Sequence, residues 1–227
     1  MTKNNLNRVN QRIRSACEQA RRPQESVTLL AVSKRHSIAS MQIVYQAGQR
    51  HFGENYLSEA LKKQALLTDY AIIWHYIGSL QSNKTRKIAQ HFSWVHSIDS
   101  LKIATRLSRQ RPADLPPLNI CLQINIDEEG SKSGLLPDYQ ALLDVARAVN
   151  TLPNIVLRGL MCIPSPKQRK EEEIATFSRM QKLMQQLNQD GLKLDTLSMG
   201  MSDDLDTAIA CGATIVRVGT AIFGQRN

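Results

Sequence analysis

Apolar positions along the chain change their rhythm near residue 26. In residues 3–22, Leu6, Val9, Ile13, Ala16, Cys17 and Ala20 recur at helical spacing and form one stripe, which Pro23 closes. From Val27 onward short apolar runs alternate with amphipathic stretches, the pattern of strands buried on both faces and joined by helices. It predicts strands at Val27–Ser33, Arg50–Gly53, Ile72–Ile77, Trp94–Ser97, Leu118–Asn125, Val156–Met161, Thr196–Met199 and Thr214–Val218. Helices are predicted at Ile38–Ala47, Tyr56–Leu67, Lys84–Gln90, Ser100–Gln110, Pro137–Asn150, Glu171–Gln189 and Asp203–Cys211. Eight strands with a helix after nearly every one predict an α/β fold: a single-domain (β/α)8 TIM barrel with an extra N-terminal helix. The domain spans 1–227, with the leading helix in 1–26 and the barrel in 27–224. An open doubly wound sheet would show the same periodicity, which does not encode closure.

Composition narrows the function classes. The 227 residues are 42% hydrophobic and 22% charged, without a low-complexity tract, and read as a soluble globular domain. No apolar run approaches the roughly 20 residues that cross a bilayer. The polar start MTKNNLNRVNQR lacks a signal-peptide core, so a cytoplasmic location without membrane partner is expected. Cys17, Cys121, Cys162 and Cys211 are scattered, with no histidine at ligand spacing, so neither metal nor disulfides are expected.

Net charge is +9, concentrated in Arg8, Arg12, Arg14, Arg21, Arg22 and in Lys84, Arg86, Lys87. Only 5% of residues are aromatic and none interleave with these groups, so a solvated basic face is favoured over a nucleic-acid footprint. An adaptor binding nucleic acid or protein through that face stays as an alternative.

Active sites of such barrels gather at the C-terminal ends of the strands, often with a phosphate site after strands seven and eight. The residues that follow the predicted strands are Lys34-Arg35, Glu54-Asn55, Gly78 with Gln81 and Asn83, Asp99, Asp127, Pro164, Met199–Asp203 and Gly219-Thr220. In "LSMGMSDD" Ser198, Gly200 and Ser202 precede a helix, and "VRVGTAIFG" places Gly219 and Thr220 at the last strand's end. Together they make an anion cradle.

"TLLAVSKRH" ends a buried strand on Lys34, where an ammonium group is costly unless paired, neutralised or reaching water. A phosphate cradle opposite an inward lysine suits an aldehyde that bears a phosphate, namely pyridoxal 5′-phosphate. Arg217 is the candidate cation beside it. Each charge taken singly also reads as a strand end reaching solvent.

The motifs "LLAVSK", "FGENY", "WHYIGSLQSNK", "SID", "QINI" with "SKSG", "RGLMCIP", "LSMGMSDD" and "VRVGTAIFG" together make the chain resemble the YggS/PROSC family, the pyridoxal phosphate homeostasis proteins. The resemblance implies a barrel like the N-terminal domain of alanine racemase, with pyridoxal 5′-phosphate bound as a Schiff base to Lys34. It further implies Asn55 beside the ring, His75 and Ile77 on the strand leading to the mouth, and Met161, Ser198 and Met199 lining the pocket. Ser198, Gly219 and Thr220 would contact phosphate, and Arg217 would face the pyridine nitrogen. Asn83, Lys84 and Lys132, the last on a mobile loop, are secondary positions. The family commonly has Thr-Lys-Pro after the lysine, where this chain has Arg35-His36-Ser37.

A cation at the pyridine nitrogen disfavours its protonation and weakens the ring as an electron sink. The resemblance places a racemase's second base, a tyrosine, on an added domain, while Tyr56 and Tyr76 here read as packing residues. The expectation is a protein without catalytic turnover that holds pyridoxal phosphate, with other B6 vitamers as further candidate ligands, and delivers the cofactor to apo-enzymes. It is expected to be a monomer. A small amino-acid racemase dependent on the same cofactor is the alternative.

Overall fold

The computed structural model describes residues 2–166 and 169–225. It opens with α1 (Thr2–Gln19), which buries Leu6, Val9, Ile13, Ala16 and Cys17. That stripe packs on two late helices, α8 (Leu205–Ala210) and α9 (Thr220–Phe223). Burying each of Leu6, Val9 and Ile13 contributes about 1.5–3 kcal/mol, enough to hold the extra helix on the barrel.

Eight parallel strands follow: β1 (Thr28–Val32), β2 (His51–Glu54), β3 (Ile73–Tyr76), β4 (Trp94–Ile98), β5 (Leu118–Ile124), β6 (Ile155–Cys162), β7 (Thr196–Ser198) and β8 (Ile215–Val218). They pair in sequence order, and β8 returns to β1 through Thr28–Ile215 to Ala31–Val218, so the barrel is closed. The open-sheet alternative is thereby excluded.

The crossovers carry α2 (Ile38–Gln46), α3 (Leu57–Leu66), α4 (Thr85–His91), α5 (Leu101–Gln110), α6 (Tyr139–Asn150) and α7 (Lys170–Gln189). Local chemistry sets two of their starts. The Ser37 side chain accepts from the Ser40 amide ahead of α2, and Asp138 accepts from Ala141 ahead of α6. Two short elements escape the apolar pattern, a 3-10 turn at Gln24–Ser26 and α9. Neither is long enough to show a period.

Strand alternation divides the core. Phe52, Trp74, Val95, Ile120, Leu160, Leu197, Val216 and Val218 join the apolar layer between barrel and helices. The opposite parity, with Leu30, His75, His96, Cys121, Met161, Ser198 and Arg217, fills the buried barrel interior. This interior includes an unusual share of polar groups.

Candidate functional site

Lys34 lies just past β1, in a turn closed by the His36 amide donating to the Ser33 carbonyl at 3.0 Å. Arg35, the next residue, has φ +62°, a left-handed conformation that costs a side-chain-bearing residue energy. Its surroundings offset that cost. The Arg35 amide donates to Glu59 Oε1 at 2.6 Å and its guanidinium reaches the Tyr56 hydroxyl at 3.2 Å, lying over that ring. His36 stacks on Phe223 with ring centroids 4.7 Å apart. The atypical Arg35-His36 pair therefore ties the lysine turn to α3 on one side and α9 on the other.

Under this turn lies a buried polar cluster. Ser33 Oγ donates to Glu54 Oε1 at 2.7 Å, and Lys63 Nζ donates to Glu54 Oε1, Glu59 Oε1 and the Ser33 carbonyl at 2.6–2.7 Å. Burial pushes the Glu54 carboxyl up, and the neighbouring Lys63 charge pulls it partly back.

Lys34 lines a cavity of about 610 Å³ together with Arg217, Gly219, Thr220, Ser202 and Arg12. Strands β1 and β8 are hydrogen-bonded neighbours, which is why residues nearly 200 positions apart meet here. Arg12 comes from α1: it pairs with Asp206 and donates to the Ser202 and Asp203 carbonyls, clamping the loop after β7. Arg22 of the same basic segment donates to the Ile209 carbonyl. Two of the five basic residues read as a solvated face are thus engaged internally.

Arg217 is 5% exposed and donates to the Ser198 carbonyl at 2.5 Å, Ser198 Oγ at 2.8 Å and the Cys162 carbonyl at 2.8 Å. Among the described residues no carboxylate pairs with it. Burial lowers its pKa, the direction expected for a cation that lacks a counterion. A buried guanidinium with no ion-pair partner among the described residues, beside an amine-bearing cavity, is complementary to an electron-rich or anionic ligand.

The remaining predicted positions distribute around the mouth. Asn55, Ile77 and Lys132 line a smaller cavity of about 250 Å³. Asn55, Asn83 and Lys84 line a third, of about 620 Å³, with Tyr56 and Lys87. Asn55 Oδ1 is buried without a hydrogen-bond partner, an acceptor left for a ligand. Gly78 lets the chain pass close by, since a Cβ there would sit 2.0 Å from the Asn55 carbonyl oxygen. Lys132 pairs with Asp127 at 3.0 Å and donates to Ser165 Oγ at 2.6 Å, which tethers the loop read as mobile.

Four of the predicted positions are buried and line none of these three cavities. The Ser198 hydroxyl is taken up by Arg217 and His96 rather than open to a phosphate, because β7 ends with this side chain inside the barrel. Ser202 of the same loop lines the cavity instead. Met199, of the opposite parity, packs in the layer between barrel and helices. His75 is fully buried, its two ring nitrogens 2.9 Å from His51 and His96. Met161 lies buried in the barrel interior, paired in register with Ser198.

Sequence reasoning passed over Arg12, Glu54, Lys63, His51 and His96 as site residues. Glu54 carried the signal of a strand-end position, and the histidines that of polar residues at inward parity on three consecutive strands. Among the described residues, no group of three metal-ligating side chains occurs, and no helix is long and apolar enough to cross a membrane.

The family model for the alanine racemase N-terminal domain matches residues 5–227. The pyridoxal phosphate homeostasis protein of Pseudomonas aeruginosa is 56% identical over 223 residues, 98% of this chain and 95% of that protein. PipY of Synechococcus elongatus, solved with PLP bound, superposes with a TM-score of 0.82 at 40% identity, over 95% of this chain and all of that one. Clostridium difficile alanine racemase shares the fold alone, with a TM-score of 0.79 at 13% identity over 57% of its chain. The chain belongs to the alanine racemase N-terminal domain family, within the group of pyridoxal phosphate homeostasis proteins.

Proposed function

We propose that the protein binds pyridoxal 5′-phosphate in the cavity between the β1 turn and the β8 end, as a Schiff base on Lys34. The observation that carries this reading is one cavity lined by Lys34, the buried Arg217 and the Gly219-Thr220 turn. Gly219, Thr220 and Ser202 would hold the phosphate, Arg217 would face the pyridine nitrogen, and Asn55 would lie beside the ring. When bound, the cofactor supplies a carbonyl that condenses with an amine.

The role proposed is homeostatic: holding the reactive aldehyde in the cytoplasm, without turnover, and passing it to apo-enzymes, as a monomer. The PLP-bound relative and the homeostasis name of the Pseudomonas protein support the cofactor and the role. Two features count against the racemase alternative. The Tyr76 hydroxyl is committed to the Ser79 carbonyl at 3.1 Å, and burial raises its pKa, which makes it a poor proton acceptor. Tyr56 accepts from Arg35 and lines the cavity with Asn83 and Lys84 rather than the one with Lys34.

Absorbance spectra of purified protein, with and without added cofactor and then borohydride, test the proposal. The expected result is a visible band lost on reduction, a reduced adduct on Lys34 by peptide mass mapping, and neither in Lys34→Ala. A protein that takes up no pyridoxal phosphate overturns it. Turnover of alanine well above that of free cofactor would favour the racemase reading.

A further inference from the structure

A row of hydrogen-bonded side chains crosses the barrel interior beneath the cavity. It runs from Arg217 on β8 through Ser198 on β7 to His96 on β4, His75 on β3 and His51 at the start of β2. His96 and His75 are fully buried, while His51 is partly exposed at the end of the barrel opposite the cavity. Each link is 2.8–2.9 Å long.

The donor inventory orders every proton in this row. A guanidinium only donates, so Ser198 Oγ accepts from Arg217. The hydroxyl proton then needs an acceptor, and among the described residues the other partner of Ser198 Oγ is His96 Nδ1. A neutral imidazole that accepts at Nδ1 carries its hydrogen at Nε2. His96 Nε2–H therefore donates to His75 Nδ1, and His75 Nε2–H to His51 Nδ1. Reversing any one link leaves a buried proton facing another proton, or a hydroxyl without an acceptor.

We infer that His51, His75 and His96 are positioning residues for Arg217, a neutral row of Nε2–H tautomers that holds Ser198 as its acceptor and aims the guanidinium at the cavity. Trp94 locks the middle of the row by stacking on His75, with ring centroids 5.4 Å apart and 12° between planes. The arrangement keeps extra positive charge away from Arg217. Burial, and next the Arg217 charge, hold His96 down at about 3, so the row stays neutral at physiological pH.

The consequence for ligand binding rests on the function proposed above, whereas the tautomer pattern does not. Long-range proton–nitrogen correlation spectra of the cofactor-free protein at pH 7 are expected to show all three imidazoles neutral with hydrogen on Nε2. Ser198→Ala is expected to let Nδ1–H forms populate at His96 and, through it, at His75 and His51. His96→Leu is expected to bind pyridoxal phosphate about tenfold more weakly, with a shifted absorption maximum. His96→Asn, whose amide oxygen can stand in for the Nδ1 acceptor, should restore both.

A cationic or Nδ1–H signature at His75 or His96 in the wild type overturns the inference. So does wild-type binding by His96→Leu, or a His96→Asn variant as impaired as His96→Leu. Should His96→Leu fail to fold, the wild-type and Ser198→Ala spectra decide. Should the wild type bind no pyridoxal phosphate, the spectra still decide the row while the functional proposal falls.

Discussion

Replacing Lys63 by methionine removes the cation from the cluster under the Lys34 turn. Lys63 and Glu54 are 2.7 Å apart, with 6% and 0% of their side chains exposed, so solvent cannot take over the lost interaction. Glu54 Oε2 has no hydrogen-bond partner even in the intact protein, which leaves the carboxylate dependent on its other oxygen. Breaking such a buried pair from one side costs about 3–5 kcal/mol, on the order of 10 °C in melting temperature for a chain of this size. Glu59, whose side chain is 26% exposed, adds less.

The sign of the pH dependence follows from the Glu54 shift. Its folded pKa already lies above the ordinary value through burial, and Lys63 is the largest influence lowering it, so the variant's value rises further. A raised folded pKa means stability present below the unfolded value and lost as pH rises through the folded one. The Lys63→Met penalty is therefore smaller near pH 4, below the ordinary glutamate value, than near pH 8, above it. Urea unfolding followed by circular dichroism at both values measures it. A second substitution, Glu54→Gln, should recover most of the loss at pH 8. An equal penalty at both pH values, or no recovery, would refute the account of the cluster as a charge-compensated pair.

Arg12→Ala should leave global stability within about 1 kcal/mol, because its pair with Asp206 is partly exposed. It should weaken binding of pyridoxal phosphate several-fold while leaving unphosphorylated pyridoxal unaffected; equal losses in titrations would contradict a role in ordering the loop after β7. Gly200→Ala is expected to destabilise by about 1–3 kcal/mol in thermal unfolding, since Gly200 has φ +91° and a Cβ would meet that of Ala208 at 2.5 Å. Burial pushes the Cys121 and Cys162 thiols up to about 12, so a thiol reagent at pH 8 should modify neither until the protein unfolds; mass mapping of labelled native protein checks this.

The elements were legible because their periods differ. Strands buried on both faces produce short apolar runs, and every strand lies within about one residue of where those runs place it. The leading helix was equally clear, with its stripe buried as spaced. Lys34, Arg217, Gly219 and Thr220 were legible through position, since each follows or ends a strand where barrel sites form, and they share one cavity. Ser198 and Met199 show the limit of that reasoning. Position along a strand end does not tell which of two neighbouring residues faces inward, and parity is settled only when the sheet closes.

Arg35-His36 shows the same limit in the other direction. On the sequence it was an unexplained departure beside the lysine; its meaning depends on Glu59, Tyr56 and Phe223, which the fold brings to it. Lys63 and Glu54 are nine residues apart, yet their pairing needed a helix to lay its buried face on the end of its own strand.

By itself the sequence determined the alternation of strands and helices, the leading helix, and the lysine and anion-binding glycines at strand ends. These are local properties, written in period and in residue type. Closure of the barrel, the meeting of Arg12 and Arg217 with Lys34, and the row from Arg217 to His51 were decided only by tertiary structure. They depend on which strands become neighbours and which side chains turn inward, and those choices follow from burying the whole set of elements at once.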